Sequence, residues 1–88
     1  MERFVFEKLQ PIGDDFWKAE VVISTPESID GRNVAQTATL TIRFKCRHDQ
    51  AVEVLLQTAL DEARRCLAGS SAFLQDQALS DLLDRGAL

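Results

Sequence analysis

A chain of 88 residues is long enough for one hydrophobic core and too short for two. Its composition, 45% hydrophobic and 27% charged, is typical of a globular protein and excludes a disordered or collagen-like chain. The net charge of −4 argues against broad nucleic-acid binding, because an acidic domain repels phosphates, but it leaves room for a local basic patch.

The termini and the cysteines indicate an intracellular protein. No run approaches the ~18 apolar residues of a membrane span, and the first four residues, Met-Glu-Arg-Phe, lack the pattern of a signal peptide. We therefore expect a cytoplasmic location and no membrane contact. Cys46 and Cys66 form no CxxC pair and the chain has one histidine, so we expect reduced thiols, no metal site and no cofactor.

Three segments predict β-strands. Residues 3–10 are rich in β-formers and end at the turn-forming residues 11–15. Residues 16–24 are dominated by aromatic and β-branched types. Residues 36–47 alternate between apolar and polar side chains, which indicates a strand with one buried and one exposed face.

The segment between the second and third strands predicts a hairpin arm. Asp30-Gly31 favours the positive φ angles of a type I′ turn. With that turn, every inward pair of the two strands is apolar, which supports a three-stranded meander. The expected pairs are Trp17 with Phe44, Ala19 with Ile42, Val21 with Leu40, Ile23 with Ala38 and, from the first strand, Phe4 with Val21 and Phe6 with Ala19.

The rest of the chain predicts two helices. An apolar stripe at helical spacing indicates a main helix over 49–68, with Asp49 as its N-cap and Gly69 as its stop. A looser period predicts a short helix over 71–84. The expected fold is α+β and forms a single domain over residues 1–88. It is a three-stranded antiparallel β-meander covered on one face by an amphipathic helix, in the order β-β-β-α-α.

The chain carries none of the familiar catalytic motifs: no phosphate-binding loop, GxSxG, HExxH or calcium loop. Cys46 and His48 could in principle form a nucleophile and base. Alternation places Cys46 in the core, however, so we read it as a structural cysteine. The sequence therefore predicts a protein that is not an enzyme.

Three antiparallel strands followed by a helix resemble, in topology alone, the later part of a double-stranded-RNA-binding domain. That family has a further helix before the strands and binds through a lysine cluster at the start of the last helix. Here the matching positions hold His48, Asp49, Gln50 and Glu53, and the acidic side chains among them would repel phosphates. On these residues the chain is not assigned to the family.

Two surfaces are candidates for partner binding. The open face of the sheet combines apolar residues with a basic row, and the C-terminal segment holds more apolar residues than one small sheet can cover. The row could instead solubilise the end of the strand and protect a sheet edge. The candidate residues are Val5, Leu9, Phe16, Lys18, Val22, Arg43, Lys45 and Arg47 on the sheet, and Phe73, Leu79 and Leu83 in the C-terminal segment.

These features lead to one functional hypothesis and two alternatives. We expect a small protein–protein interaction module, such as an adaptor, inhibitor or regulatory subunit. Its partner is a protein of unknown identity, and it forms a homodimer. The first alternative is a nucleic-acid-binding protein that uses the basic row. The second is a small enzyme or ligand-binding domain with a site at a dimer interface, where Trp17, Cys46 and His48 are the first candidates.

Overall fold

The structure, a computed structural model, describes residues 2–84. The strands are β1 (Arg3–Gly13), β2 (Phe16–Ile29) and β3 (Arg32–Lys45), and the helices are α1 (Val52–Gln75) and α2 (Leu79–Asp84). The strands form one antiparallel sheet in the order β1-β2-β3, which confirms the predicted β-β-β-α-α fold. Within residues 2–84, neither helix combines the length and the apolar character that a membrane crossing requires.

The β2–β3 hairpin has the predicted register. Asp30 and Gly31 have φ angles of 51° and 78°, as a type I′ turn needs. From that turn the two strands pair without interruption back to Phe16 and Lys45. All four predicted inward pairs are confirmed, and the hairpin arm is regular sheet as far as its tip.

The predicted register of β1 is wrong. Phe4 lies opposite Ile23 and Phe6 opposite Val21, and the pairing then shifts by one residue between Phe6 and Lys8. This β-bulge inserts Glu7 as an extra residue, so the side chains from Lys8 to Pro11 change face, and a second shift follows between Pro11 and Gly13. Leu9, expected on the open face, therefore lies opposite Ala19 and contacts the core.

The hydrophobic core lies between the inner face of the sheet and α1. Its buried members are Ala19, Val21, Ile42, Phe44 and Cys46 on the sheet and Ala59 and Ala63 on the helix. The two alanines let the helix approach the strands closely, because neither side chain extends past its β-carbon. Among residues 2–84, Val21 is the largest side chain that is fully buried. The core is consequently thin for a chain of this length.

Both predicted boundaries of α1 are wrong. The N-cap is Ala51, whose side chain has no hydrogen-bond acceptor, and the carboxylate of Asp49, two residues earlier, pairs with Arg47. At the other end the helix continues through Gly69 to Gln75. A single interior glycine costs a helix only about 1 kcal/mol, and that cost is too small to end it where good helix formers follow. The second helix is correspondingly shorter than predicted.

The long helix and the long hairpin give the chain an extended shape. Its radius of gyration is 16.2 Å and its dimensions are 48 × 34 × 19 Å. A compact domain of this length has a radius of gyration of about 12 Å. The residues near both ends of the molecule therefore extend beyond the core.

Candidate functional site

The open face of the sheet is basic at one end, which we call the basic end. It consists of Lys18, Arg43, Lys45 and Phe16. Lys18 lies directly opposite Arg43, and Phe16 lies opposite Lys45. The ammonium nitrogen of Lys45 is 5.9 Å from the centre of the Phe16 ring, within the range of a cation–π contact. Phe16 is 45% exposed, so the basic end presents an accessible aromatic ring among three cations.

Arg47 lies apart from this group. It lies two residues past the end of β3, and its guanidinium nitrogen is 2.7 Å from Oδ2 of Asp49. The neighbouring carboxylate offsets its charge locally. The predicted row of four cations is therefore a cluster of three with one ion pair beside it.

Val5 and Val22 lie opposite each other further along the same face. They are half-buried in a shallow hollow of about 200 Å³, whose rim includes Arg3, Glu7 and Thr37. Ser24 also lines the hollow, and its hydroxyl lies 3.3 Å from that of Thr37 across the two strands. The apolar part of the open face is thus small and surrounded by polar atoms.

A larger groove follows the C-terminal half of α1, with a volume of about 750 Å³. We call it the α1 groove. Its lining side chains lie at helical spacing on the face that continues the core stripe of the helix. The lining residues are Glu62, Arg65, Cys66, Gly69, Ser70, Phe73 and Leu74.

The walls of the α1 groove are apolar at one end and charged at the other. Phe73 is 45% and Leu74 57% exposed. Nε of Arg65 donates a hydrogen bond of 3.1 Å to Oε2 of Glu62, and this bond raises the pKa of the guanidinium. The charges of Glu62 and Arg65 therefore cancel within the groove.

The other two C-terminal candidates lie on α2. Leu79 is 71% and Leu83 42% exposed, whereas Leu82 between them is half-buried. The C-terminal part of the chain therefore presents apolar side chains on both helices. The predicted site residues accordingly fall into separate regions: the basic end, the hollow, the α1 groove with α2, and Leu9 in the core.

Trp17, Cys46 and His48 do come together, at the end of the sheet beside the β1–β2 turn. The indole nitrogen of Trp17 donates a 2.8 Å hydrogen bond to the backbone oxygen of Cys46. The rings of Trp17 and His48 have their centres 5.6 Å apart. Nδ1 of His48 lies 2.6 Å from Oδ1 of Asp15, a residue that the sequence assigned only to a turn.

At this end of the sheet the imidazole of His48 is oriented by the carboxylate of Asp15, as the imidazole of a general base must be. The hydrogen bond from His48 keeps the pKa of Asp15 below its ordinary value, although partial desolvation opposes that shift. Cys46, however, is buried and belongs to the core, and its amide nitrogen donates a 2.8 Å hydrogen bond to the backbone oxygen of Asp15. These contacts hold the β1–β2 turn to the end of β3.

Sequence reasoning missed the α1 groove because it ended the helix at Gly69. The signal was available: Cys66, Ser70 and Phe73 continue the stripe of Ala59 and Ala63 at intervals of three and four residues. Within residues 2–84, no three His, Cys, Asp or Glu side chains are placed to bind one metal ion. Comparisons with protein families, curated proteins and solved structures found no match to this chain.

Proposed function

We propose that this chain is a small, non-enzymatic protein–protein interaction module that associates with a second copy of itself. One observation carries the proposal: the isolated chain exposes far more surface than a protein of its mass should. Its accessible surface is 6766 Å², whereas a compact monomer of 9.8 kDa exposes about 5,200 Å². The surplus is about 1,600 Å², twice what each partner contributes to a standard interface.

The location of exposed apolar side chains supports the same function. Those on the helices are concentrated toward the C-terminal half of α1 and on α2, where Leu67, Phe73, Leu74, Leu79 and Leu83 are all at least 37% exposed. Exposed apolar residues gathered in one part of a surface commonly mark a protein-binding site, whereas scattered exposed residues do not. The open face adds the small hollow at Val5 and Val22 and the exposed ring of Phe16.

The thin core gives the chain a physical reason to associate. A domain of under 100 residues buries a smaller fraction of its surface on folding than a larger domain does, and it is marginally stable alone. Burying part of the surplus surface and its apolar side chains against a second copy would stabilise the folded state, and the effect would grow with protein concentration.

Sedimentation equilibrium of the full chain tests this function directly. We expect a reversible monomer–dimer equilibrium between micromolar and millimolar concentrations, with a midpoint of thermal unfolding that rises with concentration. A chain that sediments as a monomer throughout this range, with a concentration-independent unfolding midpoint, would contradict self-association.

The basic end favours a second function, binding of single-stranded nucleic acid. Three cations lie beside an exposed aromatic ring, which is the combination that contacts phosphates and stacks on bases. The test is binding of labelled oligonucleotides at low salt by K18E/R43E/K45E. The matched control K8E/R32E/R64E changes the net charge equally at other places. Loss of binding in the first variant alone would support this function, and no binding by the wild type would exclude it.

A further inference from the structure

We propose that the α1 groove is the surface on which two copies of this chain meet, with the C-terminal halves of their α1 helices antiparallel. The inference rests on the proposed self-association and names the surface responsible for it. Gly69 and Ser70 lie at the centre of the contact, and Cys66 and Phe73 lie on either side of it.

The first argument is the position of Gly69. It lies inside α1 with an ordinary helical φ angle, so no turn or left-handed conformation requires a glycine. Apart from the helix's own backbone, no described residue lies within 4 Å of the point where a β-carbon would stand. Within residues 2–84 of a single chain, neither backbone geometry nor packing explains why position 69 is a glycine. Close approach by another helix would account for it, since the distance between packed helices depends on the side chains between them.

The second argument is that the α1 groove is complementary to the same groove of an antiparallel second copy. A two-fold axis between Gly69 and Ser70 places each Gly69 beside the partner's Ser70, which lets the helices approach closely. The same axis places each Phe73 beside the partner's Cys66, and each Leu74 beside the partner's Arg65. Such a reciprocal pattern is what a two-fold symmetric interface demands.

Charge and area agree with this arrangement. Glu62 and Arg65 neutralise each other within one chain, so two copies bring no net charge of like sign into the groove. A standard interface removes about 800 Å² from each partner, about half of the surplus surface of this chain. An interface of standard size with a second copy would therefore cover about half of the surplus surface.

The decisive variant is G69L, with A68L as its matched control. A β-carbon at position 69 meets no described residue apart from its chain neighbours and the helix's own backbone, so a leucine side chain can extend into the groove, and leucine is a better helix former than glycine. We expect G69L to fold and to weaken the dimer at least about tenfold by overpacking the contact. Position 68 lies on the opposite face of the helix, so A68L should dimerise like the wild type.

Sedimentation equilibrium separates the possible outcomes. A dimeric wild type with a monomeric, folded G69L and a dimeric A68L would support the α1 groove as the interface. If G69L dimerises as tightly as the wild type, the groove is not the interface, although self-association itself stands. If the wild type is monomeric, both proposals fail together.

A cysteine pair tests the antiparallel arrangement independently. In F73C the new thiol is about 10 Å along the helix from Cys66 of its own chain, too far for a disulfide. Across the proposed interface the two positions are neighbours, so mild oxidation should produce a covalent dimer. The double variant C66S/F73C should cross-link much less. A covalent dimer that forms equally in both variants, or in neither, would contradict the arrangement.

Discussion

Nδ1 of His48 lies 2.6 Å from Oδ1 of Asp15, and this contact joins the β1–β2 turn to the segment that follows β3. An ionised carboxylate only accepts hydrogen bonds, so Nδ1 carries the proton. The backbone bond from the Cys46 amide to the Asp15 carbonyl and the indole bond from Trp17 to Cys46 lie beside it. Together these contacts close the end of the sheet next to the core.

The Asp15 contact should make stability depend on pH in acid. The hydrogen bond from His48 lowers the pKa of Asp15 in the folded chain below its ordinary value of 3.8. Its stabilising effect is therefore present above the unfolded pKa and is lost as the pH falls through the folded pKa. We expect D15N to be less stable than the wild type near neutral pH and equally stable in strong acid.

Chemical denaturation, monitored by Trp17 fluorescence as the pH is lowered, provides the measurement. Asparagine is the suitable replacement because Asp15 has a φ angle of 63°, which asparagine tolerates. D14N serves as the control for removing one carboxylate from the same turn. A stability difference between D15N and the wild type that stays constant down to strong acid would contradict the assignment.

The cross-strand charges on the open face predict opposite effects for two similar substitutions. Lys18 faces Arg43, a pair of like charges, whereas Lys8 faces Glu20, a pair of opposite charges. K18E should therefore stabilise the sheet and K8E should destabilise it, each by about 0.2–1 kcal/mol. Both effects should shrink in 1 M salt, where the Debye length falls to about 3 Å. If K18E and K8E changed the stability measured by thermal denaturation in the same direction, that result would contradict this pairing.

Because α1 lies close to the sheet, we expect larger side chains at its buried alanines to destabilise the fold. Ala59 is 0% and Ala63 1% exposed, and both face the strands. A59L should destabilise the chain by about 1–3 kcal/mol, because the added carbons must displace the helix or the sheet. A68L adds the same bulk on the exposed face and should change stability by less than about 0.5 kcal/mol. Urea denaturation of the two variants makes the comparison.

The tip of the hairpin arm depends on its glycine. Gly31 has a φ angle of 78°, which a residue with a β-carbon adopts at a cost of about 1–2 kcal/mol. We expect G31A to lose at most that amount of stability in denaturation experiments, because the end of the arm can also open locally. S28A lies in an extended part of the same arm and should remain close to the wild type. A neutral G31A would show that the arm contributes little to global stability.

The register of β2 and β3 could be predicted because two independent signals agreed. Alternation fixed which side chains face the core, and Asp30-Gly31 fixed where the chain reverses. β1 had no such agreement. Its bulge at Glu7 inserts one residue without any glycine or proline to mark it, and Leu9 was assigned to the wrong face as a result.

The candidate site was predicted less well than the fold. The basic residues of β3 were placed correctly because strand alternation determines their face. The α1 groove was missed because the prediction ended the helix at Gly69. A glycine inside a helix costs only about 1 kcal/mol, and that cost does not decide where the helix ends. The Asp15–His48 contact joins residues 33 positions apart and leaves no local pattern.

The hairpin arm has a consequence for how the molecule opens. The first residue of β1, Arg3, pairs with Ser24, so the five β2–β3 pairs from Thr25 with Gln36 to Ile29 with Arg32 lie beyond the end of β1. That part of the arm is a two-stranded ribbon, and an isolated ribbon is marginally stable in water. Its amide protons should exchange with solvent long before those of the core strands, and a protease should cut there while the sheet beneath remains folded.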